Sequence, residues 1–282
     1  MSWQGHLQLN YRLDPSTPAD PPRTTAHDRH HGPLRVLQRL YPEGDAVCHH
    51  VLVHPPGGIV GGDRLDIDID LAAGSHALIT TPGATRYYRS AGEVACQQVH
   101  AKLADGARLE WLPLETIAYD ACIAENRLRF DLAPGAQMMG WDLLALGLPA
   151  ANLAWQRGSY LQQLELPGVW LERARIRADD HALLDSPLGW AGRRVLGTFW
   201  FASGSPLAPT LLAQLIEQAR LRIGASLLVE QAGVTSPHAS LVVLRLLAER
   251  IEPAMTLLQQ VWADWRQTAW SRPAQTPRIW RM

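Results

Sequence analysis

The sequence predicts a mainly β protein, in which many short strands form a β-helix-like, two-layer stack and two α-helices follow in the C-terminal half. Two observations lead to this prediction. Runs of alternating apolar and polar residues recur along the chain, and short turn signals with glycine or proline separate them every 8 to 12 residues or so, roughly as in sandwiches and barrels. No exact internal repeat accompanies them, which argues against a regular solenoid.

Alternation of side chains locates the strands. Residues 64–71 are the clearest case, because four apolar residues alternate with Asp66, Asp68 and Asp70. Residues 14–31 instead collect prolines, threonines, histidines and charges, and are predicted to form a long mobile loop. The other predicted strands are residues 3–13, 34–40, 47–54, 77–81, 93–103, 108–112, 127–132, 161–166, 168–177, 193–201, 226–231 and 240–247.

Two segments have helical periodicity. Residues 206–222 begin with a proline that follows Ser205, a favourable N-cap residue. Residues 253–268 carry an apolar stripe of leucine, valine and tryptophan, and Pro273 prevents continuation of this helix. No linker rich in serine and glycine divides the chain, so residues 1–282 are predicted to form a single domain.

Composition restricts the class of protein. The 26 basic and 27 acidic residues give a formal net charge of -1, which does not favour capture of nucleic acid. Three unpaired cysteines indicate a reducing compartment. We find no signal peptide and no apolar run of the roughly 18 residues that cross a bilayer. The sequence therefore predicts a cytoplasmic protein with no nucleic-acid or membrane partner. Its 11 tryptophans favour a protein that works as part of a protein complex, because tryptophan is enriched at protein interfaces.

The least ordinary stretch is residues 54–63, where two glycine pairs flank two apolar residues. A phosphate-binding loop does not fit, because no Gly-Lys-Ser/Thr is present and a strand follows instead of a helix. A bulged connection between two strands is the structural alternative. We predict that Gly58 and Gly61 adopt backbone conformations closed to other residues, and that Asp63 points to the interior.

Two further groups of side chains suggest metal ligands. The three aspartates of residues 64–71 lack the glycine and the distal glutamate of a calcium loop, so they indicate a solvated strand face. Cys48, His50 and His54 share one face of a strand, with His49 opposite. The sequence does not supply the four converging ligands of a structural zinc site there.

Four runs resemble one family. In chain order they read HPPGGIVGGD at 54–63, TTPGATRYYRS at 80–90, WLPLETI at 111–117 and PRIW at 277–280. On these runs the chain, from about residue 3 to its end, is similar to the urease accessory protein family UreD, called UreH in some bacteria. The motif residues of the first two runs are His54, Gly57, Gly58, Gly61, Gly62, Thr81, Pro82, Gly83, Arg86, Tyr88 and Arg89.

The chain departs from the family pattern at three places. Arg86 stands where lysine is common, and Leu114 stands where glutamine is common. Residues 147–152 replace a more polar pattern that ends in an acid. The first departure keeps the charge, and the last weakens any role for an acid at that position.

The resemblance implies a β-helix-like stack with two helices, and a maturation factor rather than an enzyme. Such a factor binds urease apoprotein together with the accessory proteins UreF and UreG, of which UreG is a GTPase, and helps to insert nickel into urease. It implies no tightly bound cofactor and no catalytic residues, but transient passage of nickel along an internal water-filled route. Asp63, Glu115 and Asp142 are the acids expected to line that route.

Two other functions stay open on the residues alone. One is a β-helix-type hydrolase with paired carboxylates such as Glu115 and Asp142. Turnover of polysaccharides that ends when both acids are replaced would indicate it. The other is a stand-alone nickel-binding protein that uses Cys48 and the histidines, which tight nickel binding by the isolated chain would indicate.

Overall fold

The computed structural model of the protein describes residues 2–16 and 22–281, with the backbone only at Ala150. The helices are α1 His181–Leu184, α2 Pro209–Gly224 and α3 Ile251–Trp270, and 3-10 turns lie at Pro149–Ala151 and Arg278–Arg281. The strands are β1 Gln4–Leu13, β2 Thr24–His31, β3 Arg35–Val36, β4 Val47–Val53, β5 Arg64–Leu71, β6 His76–Thr80, β7 Thr85–Tyr87, β8 Ala95–Leu103, β9 Arg108–Trp111, β10 Thr116–Ala118, β11 Cys122–Leu132, β12 Gln137–Leu146, β13 Gly158–Leu166, β14 Trp170–Arg177, β15 Val195–Ser203, β16 Ala232–His238 and β17 Leu241–Ala248.

The strands form two sheets. The first sheet has the order β14-β13-β11-β8-β5-β1-β2, and the second has the order β16-β17-β15-β12-β9-β6-β4-β3, with β7 and β10 attached through β12. From β4 to β13 the chain passes repeatedly between the sheets, and the strands that become neighbours are parallel. This arrangement confirms the predicted β-helix-like stack.

The two ends of the stack differ in the length of their connections. At one end three turns of similar composition cross between the sheets, and each has a glycine with positive φ: Gly74, Gly106 and Gly135. These left-handed positions favour glycine because it lacks a Cβ atom. At the other end the connections are longer, and they include residues 54–63, 88–94 and 147–157. We call this the loop end.

Apolar side chains fill two layers. The layer between the sheets includes Leu65, Trp111 and Trp200. The second layer lies between the outer face of the second sheet and helices α2 and α3, where the Phe199 and Trp265 rings stack with centroids 4.7 Å apart. The outer face of the first sheet is polar, and the alternation predicted for residues 64–71 is confirmed there. In the described ranges, no helix is long and apolar enough to span a membrane.

The strands of the structure differ from the prediction at several places. Residues 24–31 form β2, paired with β1, where a mobile loop was predicted; residues 17–21 of that loop lie outside the described ranges. Strand β12 was missed, because both of its faces are buried and its sequence does not alternate. Residues 226–231 form turns, and the strand begins only at Ala232.

The helices also differ from the prediction. The first predicted helix, α2, begins at Pro209 rather than at Pro206, and its N-cap is Ala208, whose side chain makes no capping bond. Ser205 therefore has no capping role. Short α1 adds a helix to the two that were predicted; its four residues are too few to show helical periodicity.

Candidate functional site

The two longest motif runs form one structural unit at the loop end. Ile59 N–H donates to Arg86 O at 2.7 Å, and Tyr88 N–H donates back to Ile59 O at 2.9 Å. These two bonds make an isolated parallel bridge between Ile59 and Tyr87. Residues 54–63 and 80–90 are therefore in direct backbone contact.

The glycines of residues 54–63 serve two different needs. The prediction of special dihedrals at Gly58 and Gly61 was wrong, since positive φ occurs at Gly57 (81°) and Gly62 (89°) instead. Gly58 and Gly61 are required for space. A Cβ atom at Gly58 would lie 2.8 Å from Tyr88 Cδ2, and one at Gly61 would lie 2.9 Å from a backbone carbonyl oxygen.

Gly58→Ala is expected to destabilise the protein by about 1–3 kcal/mol, because the added methyl overpacks against the Tyr88 ring. Gly83→Ala is the matched control from the neighbouring run, since its Cβ would meet no atom within 4 Å. Urea unfolding of both variants measures the difference. Equal stability of the two variants would show that the ring moves aside.

Asp63 lies inside the turn, as predicted, with 2% of its surface exposed. Its carboxylate accepts the Trp3 N–H at 2.7 Å and the Val60 N–H at 3.0 Å. The two oxygens therefore join the start of the chain to residues 54–63. This geometry shows that Asp63 stabilises the turn by fixing the backbone of Trp3 and Val60. A role of Asp63 in a route for nickel would be separate from this structural role.

Asp63→Ala is expected to cost about 2–4 kcal/mol, because two partly buried backbone N–H groups lose a charged acceptor. Asp66→Ala is the control. Its partly exposed carboxylate pairs with Arg64 on the outer face of the first sheet, where a salt bridge contributes only about 0–1 kcal/mol. Thermal unfolding of both variants tests this prediction, and similar losses would contradict it.

A cavity of about 280 Å³ opens beside the paired runs. Its wall combines loop-end residues with interior residues of both sheets: His54, Gly57, Gly58, Thr81, Pro82, Gly83, Arg86, Gln97 and Trp111. Thr81 Oγ1 accepts the Leu114 N–H at 2.9 Å and donates to Gly83 O at 3.0 Å, which holds the rim in place. The cavity connects the loop end with the interior.

Two charged or titratable motif side chains of the cavity wall are His54 and Arg86, and Arg89 belongs to the same motif run as Arg86. Burial lowers the pKa of His54, although the charge of Asp63 opposes the shift. The His54 Nε2 atom is buried without a hydrogen-bond partner. Arg86 and Arg89 are exposed at the loop end, and each presents a guanidinium group to solvent.

A line of polar side chains leads inward from the cavity. Gln97 Nε2 donates to Asn126 Oδ1 at 3.2 Å, and Asn126 Nδ2 lies 3.5 Å from Asp142 Oδ1. Gln162 Nε2 donates to Asp142 Oδ2 at 2.5 Å. We call Gln97, Asn126, Asp142 and Gln162 the interior polar line.

Sequence reasoning missed the three amides of this line. Each of them occupies an inward position of an alternating strand, between apolar neighbours, as Asn126 does between Ala124 and Leu128. A polar amide is uncommon at such a position. That contrast is the signal that could have identified them.

Asp142 is a buried carboxyl group without a cationic partner among the described residues. Burial raises its pKa to about 6; the hydrogen bond from Gln162 opposes this rise, and the charge of Glu172 adds to it. The Tyr160 hydroxyl and Thr198 Oγ1 are also buried and have no hydrogen bond of normal geometry. Buried polar groups of this kind suit water or a cation rather than a dry core.

The three acids predicted to line a route occupy separate places. Asp63 belongs to the turn, Asp142 faces the interior, and Glu115 lines a groove beside α3 together with Met255 and Trp280. Register places Thr116 opposite Leu144, so Glu115 and Asp142 face opposite sides of the second sheet. These two acids therefore do not form the pair that a hydrolase would need.

The cysteine and the histidines of β4 do not converge on one point. His50 Nδ1 lies 2.7 Å from the Tyr11 hydroxyl, and His49 Nε2 lies 2.7 Å from Glu43. Within residues 2–16 and 22–281, no group of three or more His, Cys, Asp or Glu residues could hold a metal ion. This geometry does not favour a stand-alone nickel store.

Comparison with known proteins gives one consistent result. A model of the family described as UreD urease accessory protein matches residues 4–281. A relative from Leptothrix cholodnii, named urease accessory protein UreD, is 73% identical over 281 residues, which cover 100% of both chains. Relatives of the same name from Variovorax paradoxus and a Polaromonas species are 59% and 54% identical, and cover at least 99% of each chain. The chain belongs to the UreD family of urease accessory proteins.

Proposed function

We propose that this protein is a maturation factor for urease. It acts as a scaffold that binds urease apoprotein together with the accessory proteins UreF and UreG, and it assists the insertion of nickel into urease. Nickel is the cargo in this proposal and not a resident cofactor. The protein performs no catalysis of its own, and GTP is bound by UreG.

The observation that carries the nickel part of this proposal is the interior polar line. It joins a buried carboxyl group to a cavity whose wall is formed in part by the two motif runs. Carboxylate and amide oxygens bind Ni²⁺ more loosely than a closed site of cysteine and histidine does. Loose binding suits a cation that has to leave again.

Exposed side chains at the loop end support the scaffold part. Trp3, Val60 and Val94 have 54%, 40% and 42% of their surface exposed, although they are large and apolar. Hydrogen bonds hold these residues close together. The Asp63 carboxylate accepts the Trp3 and Val60 N–H groups, and Gly62 N–H donates to Val94 O. Apolar groups and nearby arginines are typical of protein interfaces.

Reconstitution of urease tests the proposed function. Urease apoprotein, nickel, bicarbonate, UreF, UreG and GTP are combined with and without this chain, and urea hydrolysis is measured. We expect activation to depend on the chain, and the chain to purify together with urease subunits. Full activation in its absence would refute the proposal.

A further inference from the structure

An open groove of about 550 Å³ lies beside α3, on the outer face of the second sheet. Four segments of the chain line it, and they meet only in the folded protein because they are far apart in the sequence. We call it the α3 groove. Its lining residues belong to 114–117, to 145–151, to the first turns of α3 and to the C-terminal 3-10 turn.

The α3 groove brings together the third and fourth motif runs. Glu115 comes from the third run, and Trp280 comes from the fourth. Hydrogen bonds tie both of them to the second run, because Glu115 O accepts the Thr85 N–H at 2.9 Å and Trp280 Nε1 donates to Thr80 Oγ1 at 2.7 Å. The second run also lines the cavity between the sheets. It therefore connects that cavity with the α3 groove.

Most of the lining of the α3 groove is apolar. Leu148, Ile251 and Met255 are large apolar residues, but each of them is only partly buried. Leu114 and Leu148 stand at two of the places where the chain departs from the family pattern, and both departures replace polar residues. Two changes in the same direction thus meet in one groove. An exposed apolar patch with polar groups at its edge is typical of a surface that binds another protein.

Two carboxylates line the α3 groove without a partner. Among the residues that the structure describes, neither Glu115 nor Glu252 has a side-chain hydrogen bond or an ion pair. Glu252 lies in the first turn of α3, where the helix dipole stabilises an acid. Glu115 is partly buried and has no such compensation. Arg250 also lines the groove but pairs with neither acid, so the described lining has an excess of negative charge.

We propose that the α3 groove binds a short apolar segment of a partner protein, and that a lysine or arginine of this segment pairs with Glu115. The apolar lining and the unpaired acids together define this occupant, since complementary charge selects the partner. A second copy of the chain fits poorly, because a symmetric contact would bring Glu115 and Glu252 of one copy against the same acids of the other.

This inference rests on the proposed function and deepens it. The partner is one of the three proteins with which the chain is proposed to assemble, and the α3 groove is the surface at which that partner binds. The groove lies outside the stack, so its role is separate from any passage of a cation through the interior.

Three variants separate the shape of the α3 groove from its charge. Ala151→Trp places a large ring in the groove at an exposed position of the lining. Glu115→Gln keeps the shape and removes the charge, and Glu115→Arg reverses the charge. The matched controls are Ala213→Trp on the exposed face of α2 and Glu230→Gln between α2 and β16, both outside the groove.

Biolayer interferometry measures binding of the full chain to UreF, to UreG and to urease apoprotein, each alone. We expect Ala151→Trp to weaken binding of one of the three on the order of tenfold or more, and to leave the other two unchanged. Glu115→Gln is expected to weaken the same partner about threefold to tenfold and to make its binding less dependent on salt. Glu115→Arg has a larger effect, and both controls bind as the parent does.

The outcomes separate this inference from the proposed function. Unchanged binding of all three proteins by Ala151→Trp and Glu115→Arg overturns the groove even when the chain still activates urease. Binding of none of them by the parent overturns it as well, and so does a change in self-association, measured by light scattering, in place of a change in partner binding. Loss of one partner in both variants supports the groove even when reconstitution shows no need for the chain. If Ala151→Trp lowers the thermal stability, the two Glu115 variants decide.

Discussion

Replacing Arg266 with methionine is expected to destabilise the protein by about 3–5 kcal/mol, the largest single effect that the structure predicts. The Arg266 side chain is fully buried beneath α3. Its Nε atom lies 3.0 Å from Glu110 Oε2, and its Nη2 atom lies 2.5 Å from Glu43 Oε2. Glu110 also accepts hydrogen bonds from His76 at 2.8 Å and from Trp262 at 2.6 Å. Methionine fills the space but leaves two buried carboxylates without their cation.

The matched control is Arg222→Met. Arg222 pairs with Asp264 at 2.6 Å, but this pair joins α2 to α3 at the surface, where a salt bridge contributes about 0–1 kcal/mol. Denaturant unfolding at neutral pH measures both variants. A loss below about 1 kcal/mol for Arg266→Met would mean that water or a rearranged His76 compensates Glu110.

The buried ion pair also predicts that the protein loses stability at acid pH. Burial alone would raise the pKa of Glu110, but the hydrogen bond from His76 and the charge of Arg266 outweigh it and lower the pKa from 4.5 to about 2. Because the folded-state pKa lies below the unfolded one, the stabilisation is present above pH 4.5 and is lost as the pH falls towards 2. This loss of stability at low pH should be smaller in Arg266→Met than in the parent protein.

Asp142→Asn is expected to stabilise the protein at pH 7 while it impairs urease activation. Burial raises the pKa of Asp142 from 3.8 to about 6, and two pKa units correspond to about 3 kcal/mol. The ionised carboxylate therefore destabilises the fold at neutral pH. Asparagine keeps the shape and carries no charge, so we expect a gain of up to about 3 kcal/mol. Opposite changes in stability and activity are typical of residues kept for function.

The sign of the pH dependence gives an internal control. The folded protein holds a proton on Asp142 that the unfolded chain releases between pH 3.8 and about 6. The penalty therefore grows as the pH rises through this window and is absent below it. Unfolding of both proteins at pH 7 and near pH 4 tests this, and the gain from asparagine should largely disappear at the lower pH. A loss of stability at pH 7 would show that a cation or ordered water already compensates the charge.

The alternation of apolar and polar residues locates a strand correctly where one face of the strand is polar and the other is buried. Residues 64–71 were located correctly from alternation alone, since Asp66, Asp68 and Asp70 face outward in the structure. Strand β12 was missed for the opposite reason, because the interior and the helices cover its two faces. Edge strand β2 was missed because its side chains are mostly polar, although Thr24 and Ala26 point inward. A strand that is buried on both faces, or exposed on both, has no alternation of apolar and polar residues, so its sequence does not reveal it.

The candidate site was predicted in part. The runs at 54–63 and 80–90 were identified from the sequence as family motifs, but only the structure shows that they are in contact. The interior position of Asp63 is also confirmed, but the reason lies in two backbone bonds that no sequence pattern shows. The nickel role of Asp63, Glu115 and Asp142 stays a prediction.

The sequence by itself determined the mainly β stack, the two long helices and the family, because side-chain periodicity and long specific runs are local properties of the chain. The tertiary structure alone decided which polar residues meet. Gln97, Asn126, Asp142 and Gln162 are separated by 16 to 29 residues along successive steps of their hydrogen-bonded line, and they come together because successive coils stack in register. Such register depends on the whole fold, and no short stretch of sequence contains it.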